Sequence, residues 1–189
     1  GSSMPSLEDR TKQHFLYQFD AEYVESMNKP DWDPHLDVAI SAGIMTKEMA
    51  DEYRATKAHK PIRDIAKNGN YAAVYGAGVA KLAKTIGVNR KVAGAFHKAY
   101  HERNWSVKAV AEVQDYKTII SNGVEELWLL NPINNFWYSL RNTKDIFSTL
   151  NQGTADYCFN LYLGFVLQEI EDWGLTNDMT LLGQFHDEW

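Results

Sequence analysis

Apolar positions recur every three or four residues along most of the chain and strict alternation is scarce, so the pattern predicts a mostly helical protein. Phe15, Leu16, Tyr17, Phe19, Tyr23, Val24 and Met27 are spaced for helices that break at Pro30 and Pro34. Asp33-Pro34-His35 ahead of Leu36, Val38, Ala39 and Ile40 reads as a helix start, and Gly43 as its end. Thr46 is the expected N-cap of the next helix, and Pro61 suits the first turn of another over 62–75. Gly76-Ala77-Gly78 interrupts the pattern before a short helix over 79–86 that stops at Gly87. Further helices are predicted over 92–100 and 107–120. Residues 121–145 are less regular, with turn signals at Asn131-Pro132, Asn134-Asn135 and Arg141-Asn142. A long helix over 147–173 closes at Gly174, and 179–185 reads as a strand leading to His186-Asp187-Glu188-Trp189. The predicted class is α+β, predominantly α-helical, with a small sheet contribution.

Composition narrows the setting. With 189 residues, 44% of them hydrophobic, the chain fits one domain or two small lobes with ample core material. A single cysteine, Cys158, excludes an internal disulfide and a cysteine-rich zinc site, and makes a reducing, intracellular setting the default. No apolar run approaches the roughly 20 residues of a membrane span, and the start has neither the basic residue nor the apolar region of a secretory signal.

Charge adds an asymmetry that the net value of −6 hides. Residues 54–103 hold eleven Lys or Arg against two acids, Asp64 and Glu102, for +9; the remainder carries −15. Such a split suggests a lobe that faces a polyanion on an acidic body. A basic helix surface without a partner fits the composition equally.

The sharpest local feature is Arg63, Lys67, Tyr71 and Tyr75, spaced by four. On a helix these residues project to one side, two cations followed by two aromatics. That surface suits a phosphate chain followed by a stacked base. A charged helix end joined to a core-facing aromatic end has the same spacing.

The run Arg63-x-x-x-Lys67-x-x-x-x-x-x-x-Tyr75-Gly76 resembles motif B of the family A DNA polymerases, and Tyr75-Gly76-Ala77-Gly78 looks most like the phage members. The resemblance implies a fingers helix in which Arg63 and Lys67 hold the triphosphate of an incoming deoxynucleotide. Tyr71 would pack on its base and sugar, and Tyr75 would guard the template base. Gln152-Gly153-Thr154-Ala155-Asp156 resembles the family's Q-G-T-A-x-D segment, whose Gln touches duplex DNA, although one residue is missing before the Asp. His186-Asp187-Glu188 resembles motif C, which would make Asp187 a Mg²⁺ ligand, Glu188 its catalytic neighbour and His186 a DNA contact. His35 matches the D-x-H histidine near the triphosphate, which a histidine at a helix start explains almost as well.

Two registers compete for motif A, D-x-S-x-x-E-x-R. Asp20 with Glu25 meets the spacing, with 15–19 as the preceding strand. The better fit places Glu8 on the motif's sugar-discriminating Glu and Arg10 on its Arg, and reads 20–25 as an acidic helix. The catalytic aspartate position then falls on Ser3, within a segment that reads equally as a cloning remnant. A neutral hydroxyl is a poor Mg²⁺ ligand beside a carboxylate.

By this resemblance the chain spans motif A to motif C, with fingers helices on a small, incomplete antiparallel palm sheet. Its expected parts are a palm segment over 1–45, fingers over 46–125 and a second palm segment over 126–189. The implied reaction is template-directed nucleotidyl transfer to a primer 3′-hydroxyl with two Mg²⁺ ions, impaired here at Ser3. Primer–template DNA and deoxynucleoside triphosphates are the implied partners, with no membrane and with any processivity partner unidentified. The implied location is the cytoplasm of a bacterial or phage-infected cell. The rivals are a non-catalytic nucleotide- or nucleic-acid-binding module and a helical interaction protein with coincidental motifs.

Other features carry less. His97 and His101 have metal-binding spacing, but Lys98 and Arg103 lie close in sequence, so a solvated basic face is expected. Trp105, Trp128, Trp137 and Trp173 are expected in packing, and Cys158 as inert core.

Overall fold

The computed structural model describes residue 4 and residues 6–181. Among these, helices α1 (Leu7–Leu16), α2 (Ala21–Met27), α3 (Pro34–Ser41), α4 (Lys47–Thr56), α5 (Lys60–Val74), α6 (Val79–Ile86), α7 (Arg90–Arg103) and α8 (Trp105–Glu112) come first. Strands β1 (Tyr116–Ser121), β2 (Val124–Leu130) and β3 (Trp137–Leu140) follow, then α9 (Ile146–Asp172). The fold is α+β and mostly helical. The chain divides into two compact units, one formed by Leu16–Val113 and the other by Gly1–Phe15 with Gln114–Trp189.

Local chemistry sets the helix boundaries of the continuous unit. Asp20, Asp33, Thr46 and Asn89 each accept a backbone N–H of the first turn of α2, α3, α4 and α7. Gly87 closes α6 with φ +69°, a conformation glycine adopts without penalty. The core of this unit gathers Leu36, Val38, Leu82, Ile86, Phe96 and Tyr100 around Ala39, Ala66 and Ala93. Small residues on α5 let it lie close to α7: a Cβ on Gly69 would stand 2.7 Å from Cε1 and Cζ of the fully buried Phe96.

In the discontinuous unit the strands form an antiparallel meander in the order β1-β2-β3. The turn between β1 and β2 is Asn122-Gly123, with φ of +51° and +78°. Two residues of positive φ between paired Ser121 and Val124 make the tight hairpin whose twist matches the strands. This corrects the helix expected over 107–120. Helix α8 ends at Glu112, and Tyr116–Ser121 is a strand because its β-branched run leads into that turn. The strand expected over 179–185 is not formed at 179–181, and its remainder lies outside the described residues.

The first two-thirds of α9 is buried on several sides. Thr11 Oγ1 donates to Asn151 Oδ1 at 2.8 Å, and Asn151 Nδ2 donates to Glu8 O at 3.0 Å, joining α1 to α9. Leu7, Ala155 and Phe159 pack beside these bonds, with half-buried Cys158 against them. The tryptophans differ from expectation: Trp105 and Trp173 are exposed, at 50% and 72%, and Trp137 carries Lys117 Nζ 3.9 Å from its ring centre. Trp105 opens α8, Trp137 opens β3 and Trp173 follows α9, while Trp128 within β2 is half-buried.

Candidate functional site

Helix α5 carries two different faces. Ala66, Gly69, Asn70 and Ala73 are buried, while Arg63 and Lys67 are half-buried and Tyr71 is half-exposed on the other side. Pro61 stands in its first turn as the sequence predicts. Tyr75 lies one residue past the helix as its C-cap and is half-exposed, and Gly76 follows with φ +71°. Arg63, Lys67 and Tyr71 thus line successive turns of one helix, with Tyr75 at its end.

The start of α3 meets this face. Asp33 divides its carboxylate: Oδ1 accepts from the N–H groups of His35 and Leu36, and Oδ2 accepts from Arg63 Nε and Nη2 at 3.0 Å. One residue therefore caps α3 and orients the guanidinium. Both partners are largely shielded, and Arg63 keeps further N–H donors beyond the two spent on Asp33. The rings of His35 and Tyr71 lie 5.9 Å apart, and Lys67 Nζ is 5.9 Å from the Tyr71 ring centre.

Asn70 fixes one side of His35. Its Nδ2 donates to Pro34 O at 3.1 Å and lies 2.9 Å from His35 Nδ1. A carbonyl oxygen only accepts, so the amide nitrogen must face this corner, and Nδ1 of the imidazole accepts the second N–H. Asn70 Oδ1 is buried with no partner among the described residues.

The cations of this face are locally compensated at Lys60 and Arg63. Lys60 donates to Asp64 at 2.9 Å, which holds the Asp64 carboxyl below its ordinary range and raises the Lys60 ammonium. Lys60 is exposed and Asp64 partly so. Arg63 lies 5.8 Å from the Tyr53 ring centre of α4.

The remaining predicted residues are elsewhere. Asp20 caps α2, and 15–19 is helix end and turn, so no strand leads into Asp20. Glu8 and Arg10 are exposed on α1, in the discontinuous unit. In the Gln-Gly-Thr-Ala segment only Gln152 faces outward. A Cβ on Gly153 would meet Tyr138 Cζ at 2.8 Å, and Thr154 Oγ1 accepts from the fully buried Asn131 Nδ2 at 2.9 Å. The glycine and threonine are thus explained by packing. Ser3, His186, Asp187 and Glu188 lie outside the described residues. Among the described residues no group of three or more His, Cys, Asp or Glu could hold a metal ion, so the fit of Mg²⁺ rests on those other positions.

Sequence reasoning missed Asn70 and Gly69. Their signal was phase: both fall with Ala66 and Ala73 on the inward side of α5, where a polar residue implies a buried hydrogen bond and a glycine a close approach.

The chain matches no protein-family model, and no curated protein matches it. Among the described residues no helix is long and apolar enough to cross a membrane.

Proposed function

We propose that this chain carries the fingers and part of the palm of a phage-type family A DNA polymerase, whose reaction is template-directed nucleotidyl transfer from deoxynucleoside triphosphates to a primer 3′-hydroxyl. One observation carries the reading. His35 of the D-x-H segment stands beside Tyr71 of the motif B helix, on the face that also presents Arg63 and Lys67. The order of motifs along a chain does not require that convergence.

In this reading Lys67 supplies a compact positive charge to the triphosphate, and Arg63 adds planar donors while Asp33 keeps its fork in place. His35 lies beside Tyr71 with its Nδ1 against Asn70 Nδ2, where its ring can meet a phosphate oxygen. Tyr71 and Tyr75 give ring faces to the base pair; the roles of Glu8 in selecting deoxyribose and of Gln152 and Arg10 in contacting the primer–template rest on the motif resemblance alone. By the resemblance Asp187 would hold Mg²⁺, which would supply the charge stabilisation that attack on an α-phosphate needs. A non-catalytic nucleotide-binding module is the second reading, favoured by Ser3 at the position of the motif A aspartate.

Titration calorimetry with a deoxynucleoside triphosphate and Mg²⁺, on the chain and on Lys67→Ala and Arg63→Ala, tests the site. A lost charge-assisted hydrogen bond is worth about 1.5–3 kcal/mol, so each variant should bind about ten- to a hundredfold more weakly. Equal affinity in all three would remove the fingers assignment. Primer extension then separates the two readings: extension by Ser3→Asp supports the enzyme, and silence from both versions supports the module.

A further inference from the structure

On α7, well apart in sequence from the residues assigned above, His97 and His101 bring their Nε2 atoms to 3.1 Å, with ring centres 4.3 Å apart and planes inclined by 59°. His97 is half-buried and His101 exposed, so water reaches the pair. The nearby cations are already matched. Lys98 Nζ lies 3.7 Å from Glu102, and Arg103 Nε donates to Asp37 at 2.8 Å and Nη2 to Ser26 at 3.2 Å. The repulsion expected from the sequence is therefore largely compensated. Gly94, one turn before His97, adds no side chain to this side of the helix.

We propose that His97 and His101 form a two-ligand site for a borderline divalent transition ion, of the class of Zn²⁺ or Ni²⁺. Imidazole nitrogen binds such ions at about 2.0–2.1 Å, and two bonds of that length meeting at about 100° place their nitrogens about 3.1 Å apart. That is the separation observed, and a turn of the rings about their side-chain bonds would aim both lone pairs at the ion. Water completes the coordination on the open side. Nitrogen ligands in pairs suit Zn²⁺, Ni²⁺ and Cu²⁺ and not Mg²⁺, which demands oxygen. The proposal is independent of the polymerase reading.

The test is titration of the full chain with ZnCl₂ or NiCl₂. With Zn²⁺, histidine ring resonances are followed by NMR, and affinities for Ni²⁺ are measured by calorimetry. One equivalent of Zn²⁺ should move the His97 and His101 rings together. His97→Ala and His101→Ala should each weaken Ni²⁺ binding at least tenfold, while His59→Ala leaves it unchanged. A hundredfold excess of Mg²⁺ should not displace Ni²⁺. Both variants alter water-accessible positions, and far-UV circular dichroism checks that they remain folded. If either variant binds Ni²⁺ as tightly as the original chain, or Zn²⁺ moves other histidines and leaves these two unmoved, the pair is an N–H···N hydrogen bond only and the proposal fails.

Discussion

Replacing a glycine in a helix interior by alanine ordinarily stabilises a protein by up to about 1 kcal/mol. Gly69→Ala should do the opposite. Its new Cβ would stand 2.7 Å from Cε1 and Cζ of Phe96 and 3.3 Å from Cε2. Carbon atoms pack at about 3.5–4.0 Å, so ring or helix must withdraw by about 1 Å. Phe96 is fully buried among Ala66, Ala93 and Leu82, which leaves the ring little room. Overpacking of this kind costs about 1–3 kcal/mol, and after the propensity gain the net loss is about 0–2 kcal/mol. Gly94→Ala is the internal control, because its Cβ meets only Val79 Cγ1 at 4.0 Å in the same unit. Urea unfolding should therefore place Gly94→Ala above and Gly69→Ala below the original chain, about 1–3 kcal/mol apart. In a Phe96→Leu background the penalty of Gly69→Ala should shrink, a coupling that a double-mutant cycle reads directly. If Gly69→Ala stabilises as much as Gly94→Ala, the close packing of α5 on α7 is wrong.

Three further outcomes are expected. Burial raises the Asp9 carboxyl above its ordinary value of 3.8, overriding the pull of Lys12 and Arg10. The native state then holds this proton more tightly than the unfolded one, so stability from this group is lost as pH rises through the carboxylate range. Asp9→Asn should raise the urea midpoint at pH 7 and make no difference below about pH 3.8; a lowered midpoint at pH 7 refutes the sign. Thr154→Val strips the acceptor from fully buried Asn131 Nδ2 and should cost about 1–3 kcal/mol in chemical unfolding; a neutral result means that the bond is not made. Tyr100 has a buried hydroxyl with no partner among the described residues, and burial pushes its phenol well above the usual range. Tyr100→Phe should leave stability unchanged or raise it by about 1 kcal/mol, and a clear loss on thermal unfolding would reveal a partner.

Local signals were the legible part of the fold. Asp33, Thr46, Pro61 and Gly87 act within a turn of where they stand, and the helices they bound formed as their chemistry predicts. The sheet was harder. Val107 and Val110 share a helical phase, and extending it through Ile119 and Ile120 conceals a strand, although Asn122-Gly123 marks the hairpin. The turn between β2 and β3 was marked by Asn131-Pro132 and Asn134-Asn135, and Asn135 takes φ +60°, but the strands on either side of it were not read. At the candidate site, the spacing of Arg63, Lys67 and Tyr71 was visible because a helix repeats every 3.6 residues. The Asp33 clamp on Arg63 and the Asn70 bond to His35 were not visible, since each joins residues thirty or more positions apart. Gly153 and Thr154 read as part of a binding motif, yet Tyr138 and Asn131 give each a packing reason of its own.

The order of assembly follows from the division of the chain. The unit over Leu16–Val113 is one continuous stretch, whereas its companion waits for both ends. During synthesis from the N-terminus, Thr11 emerges early and Asn151, its partner, 140 positions later. Joining ends that far apart in an unfolded chain costs about 4 kcal/mol of loop-closure entropy. A unit that folds first shortens the slack in that loop, so the helical unit acts as a scaffold for the later closure of α1 onto α9. Refolding from denaturant should accordingly show two phases, with helical signal first and protection of the β1–β2 hairpin from hydrogen exchange in the second.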